Sequence, residues 1–318
     1  MTAQDSATRP SRIAVAEAAS PRATTSPDPA PHGSRRAGTV MAALGVTAFS
    51  LTFPSTAWGL EGIGPWSFVA LRVALSAVIA GGALLALRIP FPARRHWAGL
   101  AVVVAGVVVG FPLLTTLALQ TSTTAHAAVV VGLLPLTTAV FSVLRTGARP
   151  SRMFWTAALA GAAAVIAFTV QQSGGALSTA DLYLFGSLLI CAAGYTEGGR
   201  LAREMPGWQV VGWALVLCLP LAVAGAAVAL RYESFELTGH STAGLLYSAI
   251  GSQFLGLVVW YRGMAVIGVP KASQLQLAQP LLTLVWSVFL LGEHLTIAAP
   301  VTAAAVLVCI AVTQRARV

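Results

Sequence analysis

The sequence predicts an all-α integral membrane protein in which ten transmembrane helices form two inverted five-helix repeats. Three observations carry this reading. Of 318 residues, 57% are hydrophobic and 9% charged, against roughly 25% charged in a soluble domain, so the chain cannot cover a water-facing surface. Apolar runs of about 20 residues, the length that crosses a hydrocarbon core about 30 Å thick, recur between short polar breaks. Finally, "LPLTTAVFSVLRTGAR" at 134–149 returns as "QPLLTLVWSVFLLGEH" at 279–294. A shift of 145 aligns Pro135 with Pro280, Leu136 with Leu281, Thr138 with Thr283, Val140 with Val285, Ser142 with Ser287 and Gly147 with Gly292.

In chain order, residues 1–36 are rich in Ala, Ser, Thr, Pro and Arg, without apolar periodicity or a signal-peptide h-region, and read as a disordered cytoplasmic tail. The first repeat, 37–172, holds spans near 38–58, 66–87, 97–118, 124–144 and 153–171. The second, 173–318, holds spans near 182–200, 209–230, 242–261, 272–291 and 296–313. Helix satisfies every backbone group inside lipid, and the alternation of a membrane β-barrel is absent. Gly106, Gly110 and the stretch "AALAGAAAV" at 157–165 provide small faces for close helix packing. Cys191, Cys218 and Cys309 fall singly inside apolar runs, with no metal or redox spacing.

Seventeen of the 19 Lys and Arg residues lie before span 1, after span 10 or in the connections that follow the even-numbered spans. The positive-inside rule then puts both termini in the cytoplasm of a cell-membrane protein. The net charge of +9 is topology, and a nucleic-acid partner is excluded. Spans 4 and 9 correspond, so each half has an odd number of spans and the second lies inverted. Inverted repeats belong to secondary transporters, with substrate held near the midplane between the repeats.

Proline-interrupted spans at matching places are the best pointer to such a site, and Pro135 and Pro280 are such a pair. Pro280 lies nine residues past Lys271, about 14 Å along a helix and close to the midplane. Gln276, Gln279, Thr283 and Ser287 share one helical face. A glutamine within lipid needs a cavity or a partner helix, so Gln276, Gln279 and Gln253 of span 8 are candidate substrate contacts, joined by Thr283 and Thr138. Arg72, six residues into span 2, either snorkels outward, the favoured reading, or meets a substrate carboxylate. Glu197 is expected to pair with Arg200 or Arg203 rather than carry a coupling proton, and His126 to sit on the rim. Trp58 and Tyr195 line the cavity or join the interfacial belt, which claims Trp260 and Tyr261. Gly292 and Glu293 read as punctuation at the membrane surface, with Thr296 capping span 10.

The "PLxT" run ending in Gly-Glu, "FVALR" at 68–72, "SQFLGLVVWYRGM" at 252–264 and "LQLAQPLLTLVW" at 275–286 resemble the EamA family of the drug/metabolite transporter superfamily. The resemblance covers about residues 38–314. It implies two inverted five-helix repeats around a central cavity. It also implies a secondary transporter, read here as an exporter, of small metabolites such as amino acids, working by alternating access with a coupling proton or by facilitated transport. The first half has "RTGAR" where Gly-Glu is expected, so Ala148 stands opposite Glu293, and span 1 lacks the acid that the small four-helix multidrug relatives use. No Walker loop, HExxH or GxSxG occurs, so no cofactor, metal or catalytic residue is assigned. A membrane-embedded enzyme and a receptor or scaffold are the rival readings.

Overall fold

The computed structural model describes residues 32–146, 151–172, 175–267 and 275–315. Residues 1–31 of the tail, Gly147, Ala148 and Lys271 lie outside them. The described residues are mostly helical: α1 (Arg36–Leu60), α2 (Pro65–Ala86), α3 (Arg94–Ala118), α4 (Thr124–Arg145), α5 (Arg152–Gln172), α6 (Thr179–Leu201), α7 (Gly207–Ala229), α8 (Gly239–Gly263), α9 (Gln279–Leu291) and α10 (Ala298–Arg315). Seven of these, α1–α5, α7 and α8, are long and apolar enough to cross a membrane. The chain is a multi-pass membrane protein. α6 carries Asp181, Glu197 and Arg200, and α9 has 13 residues.

The helices pack chiefly as α2 on α7, α1 on α8, α5 on α10 and α3 on α6. Exchanging the two halves maps this set of pairs onto itself. Close approach needs missing side chains: a Cβ on Gly106 would strike the Ile190 carbonyl across α3–α6, and one on Gly263 would strike Ala42 across α1–α8.

Two local irregularities also obey the 145-residue shift. α4 is interrupted by a turn at 132–133, and a turn at 277–278 precedes α9. Pro280 therefore sits in the first turn of α9, where a missing N–H leaves nothing unpaired. The break precedes the proline rather than following from a kink at it. In α3, residues Val104–Gly110 are π-helical. The shift carries them to 249–255, inside the π-helical stretch Tyr247–Gly256 of α8. A π turn is rare and concentrates at functional sites.

On the face opposite the basic clusters, carboxylates join the halves. Glu293 accepts from the Thr124 and Ala125 amides at 2.7 and 2.9 Å, on the N-terminus of α4. Glu233 does the same for α2, accepting from Ser67 N–H at 2.7 Å and Trp66 N–H at 3.2 Å. An isolated bridge pairs Ile63 with Phe235. Glu293 is thus a clasp rather than punctuation, since helix N-terminal amides and dipole favour a carboxylate. Gly292, left-handed at φ 65°, ends α9 and turns the chain toward that contact.

Three further expectations are corrected. His126 is buried rather than on the rim: its Nε2 lies 2.7 Å from Asp181 Oδ1 and its ring stacks on Phe168. Asp181 also closes a capping box with Ser178 at the start of α6, so the pair ties two helix N-termini together. Trp260 is buried against Ala42, Val46 and Phe49 instead of standing in a lipid-facing belt, because small residues of α1 leave room for the indole. Thr296 does not cap α10; its hydroxyl accepts from Gln172 Nε2 at 3.0 Å, and the helix begins at Ala298.

At the basic face, Glu197 is buried and pairs with Arg200 Nε, as expected, and also with Arg145 Nη2, each at 2.7 Å. Arg200 bridges on to Glu204, which His96 contacts at 2.8 Å. The His96 hydrogen bond, with Arg200 and Arg95 nearby, holds the Glu204 carboxyl below the usual carboxylate range.

Candidate functional site

A cavity of about 470 Å³ lies where the two halves meet. The eight residues assigned to the site from the sequence line it: Arg72, Pro135, Thr138, Gln253, Gln276, Gln279, Pro280 and Thr283. Of the two aromatic candidates, Trp58 instead stacks on His240, while Tyr195 lines the cavity as well. Phe154, Val211, Tyr195, Leu257 and Ile310 also line it; each lies on the half of its helix nearer the basic face. The lining thus reaches toward the basic face, and beyond mid-helix on the other side it includes Phe53, Arg72, Pro112 and Ala128. The Glu233 and Glu293 clasps hold the helix ends at that opposite face.

The walls are built from matching positions. Under the 145-residue shift, Val131 corresponds to Gln276, Gly132 to Leu277, Leu134 to Gln279, Val107 to Ser252, Val108 to Gln253 and Pro112 to Leu257, and all twelve line the cavity. Backbone geometry explains the coincidence, because the interrupted helices α4 and α9 and the π turns of α3 and α8 bring the same register positions inward twice. The chemistry is not duplicated: Gln276, Gln279, Gln253 and Ser252 of the second half correspond to Val131, Leu134, Val108 and Val107 of the first.

Arg72 is 6% exposed and does not snorkel. Its Nε donates to Gln253 Oε1 at 2.7 Å, so the side chain turns inward because α8 offers an amide acceptor across the interface. Among the described residues this is its one side-chain hydrogen bond, and it makes no ion pair. Gln253, equally buried, leaves its Nε2 without a partner. Gln276 and Gln279 are half-buried and make no side-chain hydrogen bond among the described residues.

The threonines are occupied elsewhere. Thr283 Oγ1 lies 2.8 Å from the Ser50 carbonyl and 3.0 Å from that of Gln279, at the point where α1 is interrupted at Leu51. Thr138 Oγ1 donates to the Leu134 carbonyl at 2.8 Å. Both hydroxyls serve the backbone beside the cavity. Sequence reasoning missed the Thr52 and Ser252 hydroxyls, 2.6 Å apart, and the apolar wall of Val107, Val108 and Phe111. Applying the shift to Gln253 would have pointed to Val108.

The sequence profile of the EamA-like transporter family matches residues 36–170 and 178–314, once in each half. The chain belongs to the EamA-like transporter family. Among similar members, the protein named "Uncharacterized transporter YdeK" of Bacillus subtilis (strain 168) is 41% identical over 273 residues, covering 86% of this chain and 95% of that relative. The "Uncharacterized inner membrane transporter YicL" of Salmonella typhimurium is 27% identical over 188 residues, 57% of this chain and 61% of its own. A solved crystal structure with a TM-score of 0.61 covers 87% of this EamA-like chain and 98% of its own at 20% identity, which makes the fold common to both.

Proposed function

We propose that this EamA-like chain is a secondary transporter of small metabolites, an exporter working by alternating access, and not an enzyme. The observation that carries the reading is the cavity at the interface of the two repeats, lined by corresponding residues of both. Binding at such an interface lets two similar halves rock about a fixed site. The reading includes ten crossings, an inverted second repeat and both termini on the cytoplasmic side of the cell membrane, which agrees with the basic residues at one set of helix ends. Gln276, Gln279, Gln253 and Arg72 are the proposed polar contacts, with Pro135 and Pro280 starting the helix segments that shape the wall. Thr138 and Thr283 secure those segments through their backbone bonds. Amides carry both donors and an acceptor, which suits a solute that must be bound and then released.

The test is counterflow by the purified chain in liposomes against a broad metabolite panel, with and without an imposed pH gradient. Solute exchange that needs the protein supports the proposal, and dependence on the gradient separates proton coupling from facilitated transport. Absence of flux for every solute would move the weight to an enzyme or a receptor.

A further inference from the structure

Among the described residues, the cavity offers a positive charge with no negative one to answer it. Arg72 is buried, and among the described residues its one side-chain partner is a neutral amide. No Asp or Glu is among the described residues that line the cavity. An ion removed from water needs a counter-charge or a full set of hydrogen bonds, and the guanidinium presents five N–H donors, of which Nε–H alone is engaged. The adjoining Gln253 Nε2 is a second unanswered donor. Both deficits are of one kind: donors without acceptors. Val107, Val108 and Phe111 add hydrocarbon to the lining of the same cavity.

Resting on the transporter reading above, we infer that the solute is an organic anion with an apolar body, its carboxylate paired with Arg72 and the Gln253 amide and its hydrocarbon laid along α3. Arginine recognises carboxylate by paired N–H donors. A plain carboxylate fits better than the amino acid of the same skeleton, because an α-ammonium would find amide and carbonyl oxygens but no carboxylate. A neutral amide leaves the charge uncompensated, and an amine adds a second positive charge.

The probes are 4-methylpentanoate, leucine, 4-methylpentanamide and 3-methylbutylamine, used with the full chain in detergent for equilibrium binding and in liposomes for flux. The expected order of affinity is acid, then amino acid, then amide and amine, with the acid about 10- to 100-fold tighter than the amide, the range of a hydrogen-bonded charge. The decisive variant is Gln253→Glu, which supplies Arg72 with a carboxylate from within the protein. It should keep or raise the melting temperature while weakening 4-methylpentanoate by a similar factor. Arg72→Gln should weaken it too, but that change also removes the α2–α8 tie, so Gln253→Glu keeps the test independent of folding. An amide that competes as well as the acid, a Gln253→Glu chain that binds the acid like the parent, or a parent that binds none of the four would reduce Arg72 and Gln253 to an interhelical tie. Flux of a neutral or cationic solute that ignores Gln253→Glu overturns the anion and leaves transport standing. Absence of flux for every panel member removes the transport reading instead.

Discussion

Glu293→Gln should loosen the face of the protein opposite the basic clusters. The native carboxylate answers two amides on the N-terminus of α4, Thr124 through Oε1 and Ala125 through Oε2, at 2.7 and 2.9 Å. A glutamine has one acceptor oxygen, so one amide would face an N–H donor. The loss has two parts. A hydrogen bond to a charged group contributes about 1.5–3 kcal/mol, and a charge at a helix N-terminus about 0.3–1 kcal/mol. Because these overlap and Glu293 is half-buried, we expect about 2 kcal/mol in favour of the opened state, a factor of about 30 in population at 1.4 kcal/mol per tenfold. The reporter is a cysteine at Ala128, which is 3% exposed one turn into α4, in a chain whose three cysteines are replaced. With opening fast relative to labelling, an impermeant thiol reagent added from the Glu293 side should react about 30-fold faster in Glu293→Gln. A rate equal to the parent's would show that the clasp does not close this face.

Gln276→Leu and Gln279→Leu should leave the protein folded but lower transport or shift solute preference; both variants behaving like the parent toward every solute would misplace the site. Reporter fusions near residue 176 and at 318 should lie on opposite sides of the membrane, and same-side signals would refute the topology. Gly106→Val should lower the melting temperature markedly, since the new side chain meets the α6 backbone at Ile190 and Gly194, and overpacking costs about 1–3 kcal/mol; an unchanged melt would argue that α3 and α6 separate easily. Glu204 is held below the ordinary carboxylate range, first by its hydrogen bond from His96. Its contribution is therefore complete above that range and is lost as pH falls through the lowered value. The melting difference between the parent and Glu204→Gln should be present at pH 7 and vanish in acid, and a pH-independent difference would contradict that account.

Much of this molecule was legible because lipid imposes strong local rules. Apolar length marked the helices to within a few residues except at α9, which begins at Gln279 and not near 272, and the duplicated phrase around Pro135 and Pro280 marked residues of the cavity wall. Contacts between residues far apart in sequence were not legible. Arg72 turns inward because Gln253, 181 residues away, offers its oxygen, and Glu293 clasps an α4 end 169 residues distant. His126 looked like a rim residue because only folding brings Asp181 beside it. The break before Pro280 also escaped, since proline removes a hydrogen bond without saying whether it will bend a helix or begin one.

The paired π turns of α3 and α8 have a consequence of their own. Each turn packs more residues than an α turn, leaving its helix with slack in register beside the cavity. One residue corresponds to about 100° of rotation about the axis. Deleting a residue from Val104–Gly110 or Tyr247–Gly256 should therefore tighten the helix to α geometry and swing Val108 or Gln253 out of the wall. Slack can also be handed along a helix one hydrogen bond at a time. Each half thus holds a swivel that can turn the face of a helix toward or away from a solute without unthreading the helix from the bilayer.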